Sequence, residues 1–240
     1  MKSYKNKIIS ILGDSISTFA GYIPTADGKN RHHAKRYPQD DLLTDVNETW
    51  WMRILNGLEA RLGVNESWAG STVGNVLDEH KENEGPDAAL ASVTRITNLG
   101  SNGPPDLIFF FGGTNDIWKK RCPLGEPLSL SRSNKPNLAA TKWGTTLEAY
   151  REAILRLRHF YPAAELISIL PGYVLAPYTK AELDEASDKL IEVCNIFGVK
   201  YVDLREDGIT PENACKYLPD KLHPNAAGMA LISNCVLKAL

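Results

Sequence analysis

Charge excess is nearly absent from this 240-residue chain: 27 Lys and Arg stand against 29 Asp and Glu, a formal net charge of -2. That balance gives no bulk electrostatic reason to expect DNA, RNA or an anionic membrane as partner. Cysteine is scarce too. Cys122, Cys194, Cys215 and Cys235 form no CxxC pair and no zinc-site spacing. Cys194 and Cys235 fall in apolar helical patterns, where a reduced, buried thiol is expected. There is no HExxH, no GxxxxGK[ST] loop and no GxGxxG after the first apolar run, which argues against a metal, P-loop or dinucleotide site. No metal or cofactor is therefore expected. Long apolar runs are also missing, so no membrane span is expected. The stretch IISIL after the basic start MKSYKNK is too short for a secretory apolar segment, and a cytoplasmic location is expected, the alternative being a secreted protein whose leader has been removed. Without repeats, low-complexity tracts or an evident linker, residues 1–240 read as one domain.

What is present is a chain with 43% hydrophobic residues, enough to bury a core. Five short apolar runs lie at 8–12, 62–67, 106–111, 165–170 and 199–204. Helical patterns lie between and after them, near 49–61, 86–99, 145–160, 180–197 and 226–240, with Asn225 as a cap for the last. That alternation predicts parallel strands joined by helical crossovers in an α/β fold. Two long connections, near 18–48 and 117–143, lack periodicity. Both leave the carboxyl end of a predicted strand, and they are expected to be walls or lids of a pocket.

The polar clusters share one rim. Strand one ends in Gly13-Asp14-Ser15, strand two leads to NESWAG (65–70), strand three ends in Gly112-Gly113-Thr114-Asn115-Asp116, and LPDKLHPN (218–225) follows strand five. Ligands of open α/β sheets bind at that edge. A serine hydroxyl needs a base within hydrogen-bond reach, and the base needs an orienting group. Asp220 and His223, three residues apart in one loop, supply such a pair, although either alone also reads as an ordinary turn or cap residue. Donors for a developing oxyanion are the backbone N–H groups of Ser15 and Gly70 and the Asn115 amide.

Gly13-Asp14-Ser15, Gly70, Gly113-Thr114-Asn115-Asp116 and Asp220-Lys221-Leu222-His223, in that order over residues 8 to about 228, resemble the four blocks of the SGNH (GDSL-like) hydrolase superfamily. The first block reads GDSIS where the family form has GDSLS, a change that leaves the chemistry untouched. The resemblance implies a flavodoxin-like three-layer α/β/α sandwich around a five-stranded parallel sheet. It also implies Ser15 as nucleophile, His223 as base, Asp220 orienting it, and Ser15, Gly70 and Asn115 around the oxyanion.

Asp14 suits hydrogen bonding to the nucleophile turn, and with Trp68, Trp118 and Tyr173 it is also a candidate for lining the pocket. Trp143 lies near the same rim, whereas Trp50 and Trp51 open a helix and are expected in the core. His32, His33 and Arg31 sit in a basic stretch that reads as a solvated loop able to touch a polar substrate. The expected function is hydrolysis of an ester through an acyl-enzyme. The substrate class expected is a small acyl group, such as acetyl, on a carbohydrate-like alcohol. Alternatives are a lipase or lysophospholipase, a thioesterase, and, from another class, a non-catalytic ligand-binding module.

Overall fold

Leu107–Phe111, Leu-Ile-Phe-Phe-Phe, is buried along its whole length because it is the middle strand of a parallel sheet covered on both faces. The computed structural model describes residues 3–22, 42–74, 87–119 and 122–240. Its strands are β1 (Ile8–Gly13), β2 (Arg61–Ser67), β3 (Leu107–Phe111), β4 (Glu165–Ile169) and β5 (Lys200–Val202). They pair in the order β2-β1-β3-β4-β5, all parallel. The order reverses between β1 and β3, and the crevice beyond such a reversal is where ligands of this architecture bind. Register aligns the strand ends there: Gly13 pairs with Ser67 and Phe111, Phe111 with Ile169, and Ile169 with Val202.

Alternation sorts the two faces. Leu107, Phe109 and Phe111 join Ile9, Ile11, Ile167 and Ile169 in one core layer, under α1 (Trp50–Leu58) and α8 (Ala226–Ala239). Trp50 and Trp51 are buried there as expected, and the Trp50 ring meets Phe109 and Phe111 edge-on. Ile108 and Phe110 point to the opposite layer, under α2 (Val93–Asn98), α4 (Thr146–Phe160) and α5 (Lys180–Ile196). Thr145 and Thr179 start α4 and α5 with capping boxes to Glu148 and Glu182, and the Asn225 side chain caps α8 by accepting from Gly228 N. Short helices α3 (Thr114–Lys119), α6 (Leu204–Asp207) and α7 (Ala214–Tyr217) complete the fold. All four cysteines are free, with Cys194 and Cys235 buried.

One sequence expectation is corrected and another is borne out in part. The helix expected over 86–99 is confined, among the described residues, to Val93–Asn98, because Leu90 N and Ala91 N donate to the carbonyls of Thr72 and Val73 and hold the preceding residues in turns; Ser92 then caps α2. The connection expected as a wall or lid over 117–143 does wall clefts, through Cys122, Pro123 and Leu124 beside α3 and through Asn134, Lys135 and Pro136 beside the end of α4, and beyond Leu124 its described residues run along α4. Arg151 donates to the Ser131 and Ser133 carbonyls, and Arg156 donates to the Ala140 carbonyl. Most of the 18–48 connection, with Arg31, His32 and His33, lies outside the described residues.

Candidate active site

β1 ends in Gly13, a position that excludes a side chain: a Cβ there would lie 2.9 Å from both Ser17 Oγ and Ser67 Oγ. The chain then closes a single 3-10 turn, Ser15–Ser17. Asp14 caps that turn, its Oδ1 accepting from Ile16 N at 3.0 Å, and Thr18 Oγ1 donates to Ser15 O at 2.9 Å. Asp14 is fully buried, so of its two expected roles it takes the one in the turn and does not line an open pocket.

His223 meets this turn from the loop before α8. Its Nε2 lies 2.9 Å from Ser15 Oγ, and its Nδ1 lies 2.6 Å from Asp220 Oδ2. The other carboxylate oxygen, Oδ1, accepts from His223 N at 2.6 Å and Leu222 N at 3.0 Å, so one carboxylate orients both the ring and its backbone. Lys221 adopts a left-handed φ of 72° to make this compact loop, and its carbonyl accepts from Leu175 N at 2.9 Å in the segment after β4. Burial works to raise the Asp220 pKa, but the hydrogen bonds from the His223 backbone and ring and from Leu222 N outweigh it, and the carboxyl titrates below its ordinary value. Ser15 and His223 are only 7% and 6% exposed, which dries the contact between them. Such a chain can remove the hydroxyl proton as the oxygen attacks an acyl carbon.

The turn after β2 faces the same place. Gly70 has a φ of 76°, a conformation that glycine adopts without strain. Helix α3 pins this segment through three side chains: Asn115 Nδ2 donates to Ser71 O at 3.0 Å, Asp116 accepts from Val73 N at 2.9 Å, and Lys119 Nζ donates to Gly70 O at 2.6 Å. The second Asn115 amide proton faces Asp14 Oδ2 across 3.5 Å, a weak contact that leaves it available to a ligand oxygen. The sequence reading assigned no role to Asp116 or Lys119. The i, i+4 spacing of Asn115 and Lys119 on one helix face was the available signal for the second. Burial pushes both Asp14 and Asp116 up to about 7, against the lowering effect of their amide hydrogen bonds; the Asp14 charge raises Asp116 further, and Arg95 and Lys119 lower Asp14. Among the described residues, no group of His, Cys, Asp and Glu side chains forms a metal site.

The aromatic candidates divide. Trp68 is buried, its Nε1 donating to Glu66 Oε1 at 2.7 Å and its ring covered by the Arg95 guanidinium, so it packs the interior instead of lining a pocket. Trp143 likewise packs against Arg156 beside α4. Trp118 is 43% exposed at the end of α3, adjacent to Lys119. Tyr173 helps line a small apolar cavity of about 20 Å³ with Ile16, Phe111 and Leu222, neighbours of the serine and histidine. A larger cleft of about 450 Å³ opens on the other side of α3, between Asp116, Ile117, Cys122–Leu124, Thr146 and α5.

The family model for GDSL-like lipase/acylhydrolase matches residues 7–240. The chain belongs to this family. Its members hydrolyse ester bonds, and the chain is a hydrolase of that class. A solved structure assigned to the GDSL-like lipases, from Bacteroides uniformis, is 28% identical with a TM-score of 0.71, covering 98% of this chain and 95% of that one. A second, from Bacteroides ovatus, is 25% identical with a TM-score of 0.65, covering 98% and 97%. A catalytic mutant of an acetylxylan esterase from Geobacillus stearothermophilus shares the fold at 16% identity, with a TM-score of 0.61 and coverage of 100% and 96%. No curated protein matches the chain. No helix among the described residues is long and apolar enough to cross a membrane.

Proposed function

We propose that this hydrolase removes a small acyl group, acetyl or close to it, from a carbohydrate-like alcohol through an acyl-serine at Ser15. The observation that carries the reading is the continuous chain Ser15 Oγ, His223 Nε2, His223 Nδ1, Asp220 Oδ2, with links of 2.9 and 2.6 Å. Ser15 Oγ attacks the ester carbon while its proton passes to His223 Nε2. Asp220 holds the Nδ1 proton and stabilises the imidazolium. The carbonyl oxygen, now an anion, takes hydrogen bonds from the Ser15 and Gly70 backbone N–H groups and from Asn115 Nδ2. His223 returns the proton to the leaving alcohol. A water activated by the same nitrogen then releases the acid and restores Ser15.

The carbohydrate-like alcohol has one support in the structure. The exposed indole of Trp118 offers a flat face for a sugar ring. The fold shared with an acetylxylan esterase agrees with this reading. The test is hydrolysis of 4-nitrophenyl esters from acetate to long acyl chains, followed by a panel of acetylated sugars, beside Ser15→Ala. Preference for acetate, release of acetate from sugars, and a loss of several orders of magnitude in kcat for the variant are expected. Preference for long chains or thioesters sinks the substrate assignment; turnover retained in Ser15→Ala sinks the mechanism.

A further inference from the structure

Arg95 is a charge with no access to solvent: its side chain is 0% exposed, and the steps above do not use it. Helix α2 sends it beneath the carboxyl ends of β1 and β2. There Nη2 donates to Gly13 O at 2.8 Å and to Glu66 O at 2.7 Å, while Nη1 donates to Ala88 O at 2.8 Å. Its plane lies over the Trp68 ring, 4.7 Å from the centroid. Glu66, the counter-charge, holds Oε1 3.9 Å from Arg95 Nε and accepts from Trp68 Nε1 with the same oxygen.

Burying an ion pair costs stability relative to an apolar side chain of similar volume, which could also pack on Trp68. What an apolar residue lacks is a rigid fork able to bind three carbonyl oxygens at once. Two of those oxygens decide where catalysis is arranged. Gly13 leads into the Ser15 turn, and Glu66 leads through Trp68 into the Gly70 turn; Trp68 N also donates to Gly13 O at 3.1 Å. The guanidinium therefore ties together the bases of the two turns whose N–H groups must aim at one oxygen.

We propose that Arg95 is a positioning residue for oxyanion binding: by clamping the Gly13 and Glu66 carbonyls it fixes the spacing between the Ser15 and Gly70 backbone donors. The proposal rests on the assignment of Ser15 as nucleophile. It accounts for a buried charge at the carboxyl ends of β1 and β2 as geometry in service of the transition state, since small displacements of such donors are costly in rate.

The test is Arg95→Lys, which keeps a charge but loses the fork, assayed on 4-nitrophenyl acetate beside Ser15→Ala. The expected result is a kcat lower by roughly 10- to 100-fold with KM within about twofold of the unsubstituted protein. The midpoint of the pH dependence of kcat/KM and the downfield His223 Nδ1 proton in the NMR spectrum should be unchanged, because the pair with Asp220 is untouched. A folded Arg95→Lys with unaltered kcat, even at a lower melting temperature, overturns the proposal. So does a shifted pH midpoint or a lost downfield proton, which would place the damage at the histidine. Should Arg95→Lys fail to fold, the unsubstituted protein is treated with a fluorophosphonate and followed by NMR in deuterated solvent. Arg95 Nη protons should outlast those of the exposed Arg132, and the Ser15 and Gly70 amide signals should move on phosphonylation while the Arg95 signals stay. Exchange of Arg95 as fast as Arg132, or a phosphonylation that leaves both amides unmoved, overturns the proposal. Failure of the underlying reading is separate: Ser15→Ala would then retain turnover.

Discussion

Replacing Asp220 by asparagine tests the orientation of the histidine with little disturbance to the loop. Oδ1 of Asp220 accepts from both Leu222 N and His223 N, and an asparagine oxygen in the same place keeps both bonds. The group that changes is the one 2.6 Å from His223 Nδ1, where Oδ2, an acceptor, becomes an NH2, a donor. The neutral ring must then accept at Nδ1 and carry its proton on Nε2. That nitrogen faces Ser15 Oγ at 2.9 Å and, once protonated, has no lone pair with which to take the hydroxyl proton. Loss of the correct tautomer and of the countercharge predicts a fall in kcat of roughly 10³ to 10⁴, equivalent to about 4 to 5.5 kcal/mol of transition-state stabilisation. The thermal melt should stay within a few degrees of the unsubstituted protein, about 1 kcal/mol at most. Asp220→Ala differs: it leaves two amide donors without their partner, and should lose activity together with about 1–2 kcal/mol of stability. Steady-state hydrolysis of 4-nitrophenyl acetate and a circular-dichroism melt on each variant decide the matter. A folded Asp220→Asn with kcat within tenfold of the parent refutes the tautomer argument.

Gly70→Ala should lower both stability and kcat: at a φ of 76° an L-residue is strained by about 1–2 kcal/mol, and its Cβ would sit 3.2 Å from the Lys119 Nζ that holds the Gly70 carbonyl. Unaltered kcat in a folded Gly70→Ala would show that this turn does not carry an oxyanion donor. Stability should also respond to pH through the buried carboxyls. Asp14 and Asp116 bind protons up to about pH 7 in the folded chain but have an ordinary value of 3.8, so between these limits the folded state holds more protons and their contribution is lost as pH rises. Asp116→Asn should therefore gain melting temperature relative to the parent as pH goes from 4 to 8. A difference between the two proteins that stays constant over that range refutes this account.

The order of elements and the position of the polar clusters were legible in the sequence because they depend on local pattern. Continuous apolar runs such as Leu107–Phe111 belong to strands buried on both faces, and the polar residues that follow them must fall at one sheet edge, whatever the details of packing. Asp220 and His223 were legible for the same reason: both lie in one loop, and three residues are enough to bring carboxylate and imidazole together. Tertiary structure alone decided what depends on distant chain segments. Whether His223 reaches Ser15, 208 residues earlier, depends on how α8 and β1 pack. Leu90 and Ala91 are helical by pattern and form turns in fact because Thr72 and Val73 present carbonyls to them. Trp68 sits near the rim in sequence but inside the protein, since Glu66 and Arg95 give its indole a partner and a cover that solvent would otherwise supply. Arg95 itself shows the limit most plainly: on a helix pattern it is a surface charge, and it takes the Gly13, Glu66 and Ala88 carbonyls together with the Glu66 carboxylate to make its burial tolerable.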